Sequence, residues 1–256
     1  MAPLDGKTAI VTGASRGLGA GMALELARQG ASVMLLYTSP SSAAKVDDLI
    51  AQITALPHKP SAAACKADLS SASAPAAVLA ALDAWRGPDS RVDILVNNAA
   101  AEINAPLGAI TTDKFAAVYD VNVRAPLLLT QALRPRLAAE GARIVNVGSV
   151  GGRMGYPGMS LYFSSKAAIE GLTRVWAAEL GANGTTVNCV APGPVQSEML
   201  DNIPRDLVEM QKKQTPVQNR FGTVEEVAKI VAWLASPDSS WVSGQVISAS
   251  GGSAMY

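Results

Sequence analysis

The sequence contains few of the residues that disulfide-stabilised and metal-binding proteins depend on. It has two cysteines, Cys65 and Cys189, and a single histidine, His58. Because these residues are far apart in the chain, they predict neither a disulfide framework nor a zinc site. We therefore expect two free, buried thiols and no bound metal.

Charge is also scarce, and its two signs balance. Charged residues make up 16% of the chain, with 21 Lys and Arg against 21 Asp and Glu. Nucleic-acid and anionic-membrane surfaces need a clustered basic excess, which is missing. No apolar run reaches the roughly 18 residues of a membrane-spanning helix, and the first residues do not resemble a secretory signal. We expect no nucleic-acid partner, no membrane partner and a cytoplasmic location.

Hydrophobic residues, at 49%, are abundant enough for a large core, and short apolar runs alternate with helical patterns. Such alternation is typical of a parallel sheet with helices on both faces. We predict one α/β domain over residues 1–256, a Rossmann-type, doubly wound, seven-stranded parallel sheet. Strands are predicted at 8–12, 32–37, 61–66, 92–96, 143–147, 186–190 and 245–248, and helices at 17–29, 42–56, 72–85, 114–138, 161–180 and 224–234, the helix over 114–138 being interrupted near Pro126.

The two halves of this domain are predicted to do different work. We expect residues 1–150 to bind a cofactor and residues 149–256 to carry catalysis and substrate binding. Residues 194–221 form a long, proline-bearing stretch between a strand and a helix. Because long loops in compact domains usually serve binding, we expect a mobile lid there.

A glycine-rich turn follows the first predicted strand. Its glycines, Gly13, Gly17 and Gly19, would let backbone N–H groups approach a pyrophosphate at a helix N-terminus. The second predicted strand ends in Tyr37, Thr38 and Ser39, without the carboxylate that often holds the ribose 2′-hydroxyl of NAD. Arg16, inside the glycine turn, could pair with a 2′-phosphate. These residues predict binding of NADP(H), with Ser15 and Leu18 completing the turn.

Three residues suggest carbonyl chemistry. Ser149 follows the fifth predicted strand, and Tyr162 and Lys166 lie four residues apart on one helix face. Reduction of a carbonyl by hydride needs a proton donor to the oxygen. A tyrosine titrates near ~10, and a neighbouring ammonium is expected to lower that pKa. A serine hydroxyl could hydrogen-bond the carbonyl oxygen as charge develops on it.

Together these motifs resemble the short-chain dehydrogenase/reductase family over about residues 5–252. The matching segments are Thr-Gly-x3-Gly-x-Gly at 12–19, Asp-Leu at 68–69, Asn-Asn-Ala-Ala at 97–100, Asn122, Ser149, Tyr-x3-Lys at 162–166 and Pro-Gly at 192–193. The chain departs from the family pattern at Ala100, where glycine is usual, at Ser197, where threonine is commoner, and before the paired glycines 251–252, where an aspartate is missing.

The resemblance implies a role for each matching residue. Tyr162 would be the acid/base, Lys166 would also bind the nicotinamide ribose, Ser149 would orient the carbonyl, and Asn122 would anchor a water that connects Lys166 to solvent. Further cofactor contacts are implied at Asp68, Leu69, Asn98, Ala99, Ala100, Pro192, Gly193, Val195 and Ser197. The family also implies a homotetramer.

The residues leave the substrate open. The leading hypothesis is an NADPH-dependent reductase of a bulky apolar or polyketide-like ketone, because the chain resembles fungal hydroxynaphthalene reductases and, in its core, 3-oxoacyl-carrier-protein reductases. Met154, Tyr156 and Met159, with Met199 and Met210 in the lid, would form an apolar pocket. One alternative is an NADP-linked alcohol or sugar-alcohol dehydrogenase. Another is a non-catalytic NADP(H)-binding sensor or scaffold.

Overall fold

The computed structural model describes residues 2–196 and 205–256, and one parallel sheet runs through them. Its seven strands lie in the order β3-β2-β1-β4-β5-β6-β7. They are β1 (Thr8–Val11), β2 (Ser32–Tyr37), β3 (Ala62–Lys66), β4 (Ile94–Asn97), β5 (Arg143–Val147), β6 (Thr186–Pro192) and β7 (Val246–Ala249). The predicted seven-stranded parallel sheet is confirmed, with boundaries that shift by one or two residues.

Helices cover both faces of this sheet, as the doubly wound prediction required. They are α1 (Gly17–Arg28), α2 (Ala43–Thr54), α3 (Ala74–Arg86), α4 (Thr112–Tyr119), α5 (Ala125–Leu133), α6 (Ser160–Leu180), α7 (Arg205–Lys213) and α8 (Val224–Ala235). In the part of the chain that the structure describes, no helix is long and apolar enough to cross a membrane.

The sheet separates two hydrophobic cores, and alternate residues of each central strand enter opposite ones. In β1, Ala9 and Val11 pack with α1, α2 and α8, whereas Ile10 packs with α3, α5 and α6. In β2, Val33 joins the first core and Met34 the second. Strands buried on both faces explain the continuous apolar runs in the sequence.

The helix predicted over 114–138 is interrupted near Pro126, as the sequence indicated, and it ends earlier, at Leu133. The structure has α4 and α5 separated by a π-helical turn, Asp120–Arg124, in which the Ala125 N–H donates to the Asp120 carbonyl. Pro126 supplies the reason, because a proline has no N–H with which to continue the α-helical hydrogen bonds to the preceding turn. This irregular turn carries Asn122, and π-helical turns are often found at functional sites.

The stretch predicted to be a lid contains a helix. Within residues 194–221 the structure contains α7 (Arg205–Lys213), and an isolated bridge pairs Val195 with Gly222. The polar composition of α7 concealed this helix. Residues 197–204, with Ser197 and Met199, lie outside the described part.

The order of the strands determines where a ligand is expected. Strands β2 and β3 extend the sheet to one side of β1 and the later strands extend it to the other, so the order of the strands reverses between β1 and its neighbour β4. In open parallel sheets, ligands bind at the carboxyl ends of the strands beside such a point. The loops that follow β1, β2, β4, β5 and β6 all open at this edge.

Candidate active site

The glycine turn after β1 is tightly built. Gly13 and Gly17 adopt left-handed backbone angles, with φ of +65° and +54°, which glycine tolerates at little cost. Gly19 is needed for space, because a Cβ there would lie 2.1 Å from the Gly13 carbonyl oxygen and 2.6 Å from Asn98 Nδ2. The glycines therefore bring the turn against the segment that follows β4.

The first turn of α1 is open to an anion. Its N-cap residue, Arg16, makes no side-chain capping hydrogen bond, and the first turn contains no acidic residue. The uncapped N–H groups and the positive end of the helix dipole favour a negative group there. Ser15, Gly17 and Leu18 surround the same position. These features fit the pyrophosphate of a dinucleotide.

The end of β2 provides hydroxyl groups beside this turn. Thr38 Oγ1 donates to the Ala67 carbonyl at 3.1 Å, and Ser39 Oγ lies 2.6 Å from Ser41 Oγ. Ser39 also caps a short helical turn by accepting from the Ser41 N–H. Tyr37 is half-buried against the first core, and Arg16 is exposed. No carboxylate occurs from residue 37 to residue 46, as a 2′-phosphate site requires.

Two predicted adenine contacts have other roles in the protein. Asp68 Oδ1 accepts from the Ser70 N–H at 3.0 Å and from Ser70 Oγ at 2.7 Å. Leu69 is buried in the second core, with 7% of its surface exposed. Contact with adenine through either side chain remains a prediction.

Thr12 holds the segment after β4 in place, a role that the sequence did not reveal. Thr12 Oγ1 accepts from the N–H groups of Asn98, at 2.8 Å, and Ala99, at 2.9 Å. Asn98 Nδ2 returns a hydrogen bond to the Thr12 carbonyl at 2.8 Å. Ala100, which follows, is exposed. The residues 98–100 thus lie across the glycine turn, where the family pattern expected them.

The segment after β6 closes the same edge. Pro192 ends β6, and Gly193 packs so closely that a Cβ would lie 2.8 Å from Ser250 Cβ. Val195 is buried. Contact of this segment with a cofactor carboxamide remains a prediction, and Ser197 lies beyond the described residues.

Ser149, Tyr162 and Lys166 converge at the end of β5. Ser149 Oγ accepts from the Gly151 N–H at 3.1 Å, and its side chain acts to lower the pKa of Tyr162. Lys166 Nζ donates to the Val147 carbonyl at 2.8 Å and lies 5.5 Å from the centroid of the Tyr162 ring. Strand β5 and helix α6 therefore bring together three residues that are separated in the sequence.

Asn122 stands behind this group on the π-helical turn. Its Oδ1 accepts from the Ala101 N–H at 2.7 Å, and its Nδ2 donates to the Ala101 carbonyl and to Ser165 Oγ, each at 2.9 Å. The side chain is fully committed to these partners. Any link from Asn122 to a water would therefore run through its main-chain carbonyl, which Pro126 leaves without an α-helical donor.

The sequence predicted that Lys166 would lower the pKa of Tyr162. In the protein without a cofactor this prediction is wrong. Burial, followed by the negative charge of Glu102, raises the Tyr162 pKa to about 12, although the hydrogen bond from Ser149 acts in the opposite direction. Burial also lowers the Lys166 pKa to about 8, so near neutral pH the proton is held less firmly than by an exposed lysine. Desolvation outweighs the electrostatic help expected from a lysine one helical turn away.

A ladder of hydrogen bonds between buried polar side chains links the catalytic strand β5 to its neighbours. Asn97 Nδ2 donates to Asn146 Oδ1 at 2.9 Å, and Asn146 Nδ2 donates to Thr173 Oγ1 at 2.9 Å. All three residues are buried, which makes each lost hydrogen bond costly. The ladder connects β4, β5 and α6. Asn146 and Thr173 could not be identified from the sequence, since isolated polar residues in apolar runs are ambiguous.

Comparison with known proteins agrees with this geometry. A family model described as enoyl-(acyl carrier protein) reductase matches residues 13–254. The chain belongs to the short-chain dehydrogenase/reductase family. It is 40% identical to the short-chain dehydrogenase/reductase FrzI of Cladobotryum sp. over 96% of this chain and 95% of that protein. As a member of this family, the chain is an oxidoreductase of the NAD(P)-dependent carbonyl reductase type.

Two further relatives carry more specific names. The L-xylo-3-hexulose reductase of Hypocrea jecorina is 37% identical over 99% of this chain and 98% of its own length. The hydroxynaphthalene reductase arp2 of Aspergillus fumigatus is 36% identical, over 96% of this chain and 92% of its own. The resemblance to hydroxynaphthalene reductases is thereby confirmed.

Solved structures share the whole fold. A blue fluorescent protein from a metagenomic library, in complex with NADPH, aligns with a TM-score of 0.88 and 36% identity over 99% of this chain and all of its own. The angucycline C-6 ketoreductase LanV, with bound NADP, aligns with a TM-score of 0.90 and 31% identity over 98% of this chain and 96% of its own.

Proposed function

We propose that this short-chain dehydrogenase/reductase is an NADPH-dependent carbonyl reductase in which Tyr162 protonates the carbonyl oxygen. This proposal rests on the convergence of Tyr162 with Ser149 and Lys166. They meet at the edge of the sheet where the glycine turn opens. NADP(H) rather than NAD(H) is supported by Arg16, by the hydroxyl-rich end of β2, and by the NADPH and NADP complexes among the similar structures.

The chain's own residues perform the proton chemistry. Ser149 donates to the carbonyl oxygen and holds it beside the Tyr162 hydroxyl, which places the proton donor within reach of the reacting oxygen. As negative charge grows on that oxygen, Tyr162 transfers its proton and becomes a phenolate. The ammonium of Lys166 stabilises the phenolate, and the Asn122 carbonyl supports a path by which solvent restores the proton.

NADPH, when bound by the glycine turn and the segments after β4 and β6, supplies the hydride. The reaction balances as ketone, NADPH and one proton giving a secondary alcohol and NADP⁺. The raised pKa of Tyr162 keeps the phenol protonated through the neutral range. A tyrosine that stays protonated is suited to donating a proton to a developing alkoxide.

A bulky, apolar, polyketide-like ketone is the proposed substrate class. Met154 and Met159 are half-buried between Ser149 and Tyr162 in sequence, and the rings of Tyr156 and Phe163 meet edge-on with centroids 6.0 Å apart. The hydroxynaphthalene reductase among the relatives acts, by its name, on a hydroxynaphthalene, which is a bulky aromatic compound. Met210 is exposed and Met199 lies outside the described residues, so neither supports an apolar substrate pocket.

The structure gives no support for an acyl-carrier-protein partner. Such a partner is acidic and would need free arginines near the site entrance. Arg124 pairs with Asp120 at 2.9 Å, and Arg136 pairs with Asp83 at 2.7 Å. Their charges are largely neutralised within the protein.

A sugar ketone is the second candidate substrate. The L-xylo-3-hexulose reductase among the relatives supports it, with 37% identity over nearly the whole chain. The same tetrad would serve oxidation of the corresponding sugar alcohol, so this candidate includes the dehydrogenase direction. A sensor or scaffold without catalysis is disfavoured, because Asn122, Ser149, Tyr162 and Lys166 are all present and assembled.

We also propose a homotetramer in the cytoplasm. Large apolar side chains on the surface support self-association: Trp241 is fully exposed, and Val175 on α6 is 52% exposed. Light scattering coupled to gel filtration tests the assembly, and a monomer would contradict it.

Isotope transfer tests the reaction itself. The protein is incubated with NADPH carrying deuterium at one face of C4, and with tetralones, decalones and ketohexoses in turn. The proposal expects a product alcohol with one deuterium on the carbinol carbon, from one of the two labelled epimers only. Alcohol without deuterium would overturn it. So would the absence of any reaction, both of these ketones with NADPH and of the corresponding alcohols with NADP⁺.

A further inference from the structure

Glu102 lies beside the tetrad, on a short segment that is anchored at both ends. On one side, Ala101 exchanges two backbone hydrogen bonds with the Asn122 side chain, at 2.7 and 2.9 Å. On the other, the Ala105 N–H donates to the Gly158 carbonyl at 2.9 Å. Glu102 is therefore fixed between the tetrad and the loop that leads into α6.

The carboxylate of Glu102 is held in place without being neutralised. Its Oε1 accepts from Asn104 Nδ2 at 3.2 Å, and the residue is exposed. Among the residues that the structure describes, no lysine or arginine forms an ion pair with it. One carboxylate oxygen is therefore oriented, and the other remains available to a ligand.

The field of this carboxylate reaches the reacting groups. Burial is the main influence on the pKa of Tyr162 and of Lys166, and the negative charge of Glu102 acts in addition to raise both pKa values. Two arginines on elements around the site are already paired: Arg153 with Glu170 at 2.8 Å, and Arg124 with Asp120 at 2.9 Å.

Two further titratable groups face this region. Lys114 donates to the Ala109 carbonyl at 2.9 Å, and burial raises the pKa of the Cys189 thiol to about 12, so it stays neutral. Glu102 is thus an exposed carboxylate that a substrate beside Tyr162 would meet, whereas the cation of the tetrad, Lys166, is buried and donates to the Val147 carbonyl.

We propose that Glu102 is a specificity-determining residue that favours ketones carrying a cationic ammonium group and disfavours anionic ketones. This inference rests on the proposed carbonyl reduction and narrows its substrate class. An apolar body would occupy the surface near Met154 and Met159, and the ammonium group would lie against the free oxygen of Glu102. A carboxylate on the same scaffold would be repelled.

Three aryl ketones of matched shape provide the probes. They are 4-acetyl-N,N,N-trimethylanilinium, its neutral isostere 4-tert-butylacetophenone, and 4-acetylbenzoate. The ratio of kcat/KM for the cation to that for the isostere is measured in the wild-type protein, Glu102→Gln and Glu102→Lys. A ratio cancels any effect of Glu102 on Tyr162 that acts on all ketones alike.

The ratio for the cation over the isostere should be roughly ten-fold higher in the wild-type protein than in Glu102→Gln, a size expected for one partly screened charge pair. This comparison between proteins cancels the difference in electrophilicity between the two ketones. Glu102→Lys should lower the ratio further and favour the carboxylate. Glu140→Gln removes the same charge at an exposed position before β5, at the opposite edge of the sheet, and should keep the wild-type ratio.

Affinity gives a readout that does not depend on turnover. The same probes are titrated into the NADPH complex of Tyr162→Phe, with and without Glu102→Gln, following cofactor fluorescence. A charge preference in affinity without reduction of any probe by the wild-type protein would contradict the proposed function and leave the specificity intact. Equal ratios in wild-type protein and Glu102→Gln, in rate and in affinity, or no binding of any probe, would overturn the inference.

Discussion

Asn122 Nδ2 donates to Ser165 Oγ at 2.9 Å, and Ser165 Oγ donates in turn to the Tyr162 carbonyl at 2.7 Å. The π-helical turn that carries Asn122 is thereby tied to the turn of α6 that carries the proton donor. Both Asn122 and Ser165 are buried. The position of Tyr162 therefore depends on an irregular turn, Asp120–Arg124, that is distant from it in the chain.

Asn122→Asp should destabilise the protein and slow it. The carboxylate cannot donate to the Ala101 carbonyl or to Ser165 Oγ, and the buried donors and acceptors left unpaired cost about 1–3 kcal/mol. Urea unfolding measures the loss, and kcat should fall along with it. Asn219→Asp makes the same exchange at an exposed position and should change neither quantity. Equal stabilities of the two variants would contradict the role given to Asn122.

Lys166→Met should change how stability depends on pH. Burial lowers the Lys166 pKa from 10.5 to about 8. Between these values the unfolded chain holds the proton and the folded protein does not, so this group makes stability rise with pH. The wild-type free energy of unfolding, relative to that of Lys166→Met, should increase between about pH 8 and about pH 10, by at most roughly 1.4 kcal/mol per pH unit.

Urea unfolding of both proteins at several pH values measures this difference. Because other titrating groups are common to both, their contributions cancel. A constant difference across the range would show that Lys166 is not strongly desolvated in the folded protein.

Gly19→Ala should disrupt the cofactor turn. The new Cβ would lie 2.1 Å from the Gly13 carbonyl oxygen, and relief of such a clash costs about 1–3 kcal/mol. Both thermal stability and NADPH affinity should fall. Gly181→Ala, at the end of α6, meets no atom within 4 Å and should behave as wild type. A Gly19→Ala protein with normal NADPH affinity would refute the close approach of the turn to the segment after β4.

Arg16→Ala should weaken NADPH binding and leave NADH binding nearly unchanged. A charge-assisted hydrogen bond to the 2′-phosphate contributes about 1.5–3 kcal/mol, or roughly a 10- to 100-fold change in Kd. Fluorescence titration with each cofactor measures the effect. Arg134→Ala, an exposed arginine at the other edge of the sheet, is the control. If Kd for both cofactors rose equally, Arg16 would not read the 2′-phosphate.

Sequence patterns predicted most of the fold because strands buried on both faces leave continuous apolar runs, as in Ser32–Tyr37. They also located Ser149, Tyr162 and Lys166, since an i, i+4 pair on a helix and a serine after a strand are local signals. The π-helical turn was missed, because it depends on where the hydrogen bonds interrupted by Pro126 are rerouted. Helix α7 was missed because its composition is polar.

The support around the site could not be predicted. Thr12 binds Asn98 and Ala99 across 86 and 87 residues of sequence, and Asn146 reaches Thr173 across 27. Such pairs appear only when the sheet is assembled. The acidity of Tyr162 was predicted in the wrong direction for the same reason, because burial is a property of the folded protein.

Comparison of the wild-type protein with Tyr162→Phe, in NADPH binding and in ketone-dependent NADPH oxidation, tests the central claim most directly. The claim predicts equal NADPH affinity for the two proteins, weak binding of NADH, and a rate that falls by about 10²- to 10⁴-fold in the variant, as expected for loss of a general acid. Equal rates for the two proteins, or a wild-type protein that binds NADH as tightly as NADPH, would contradict it.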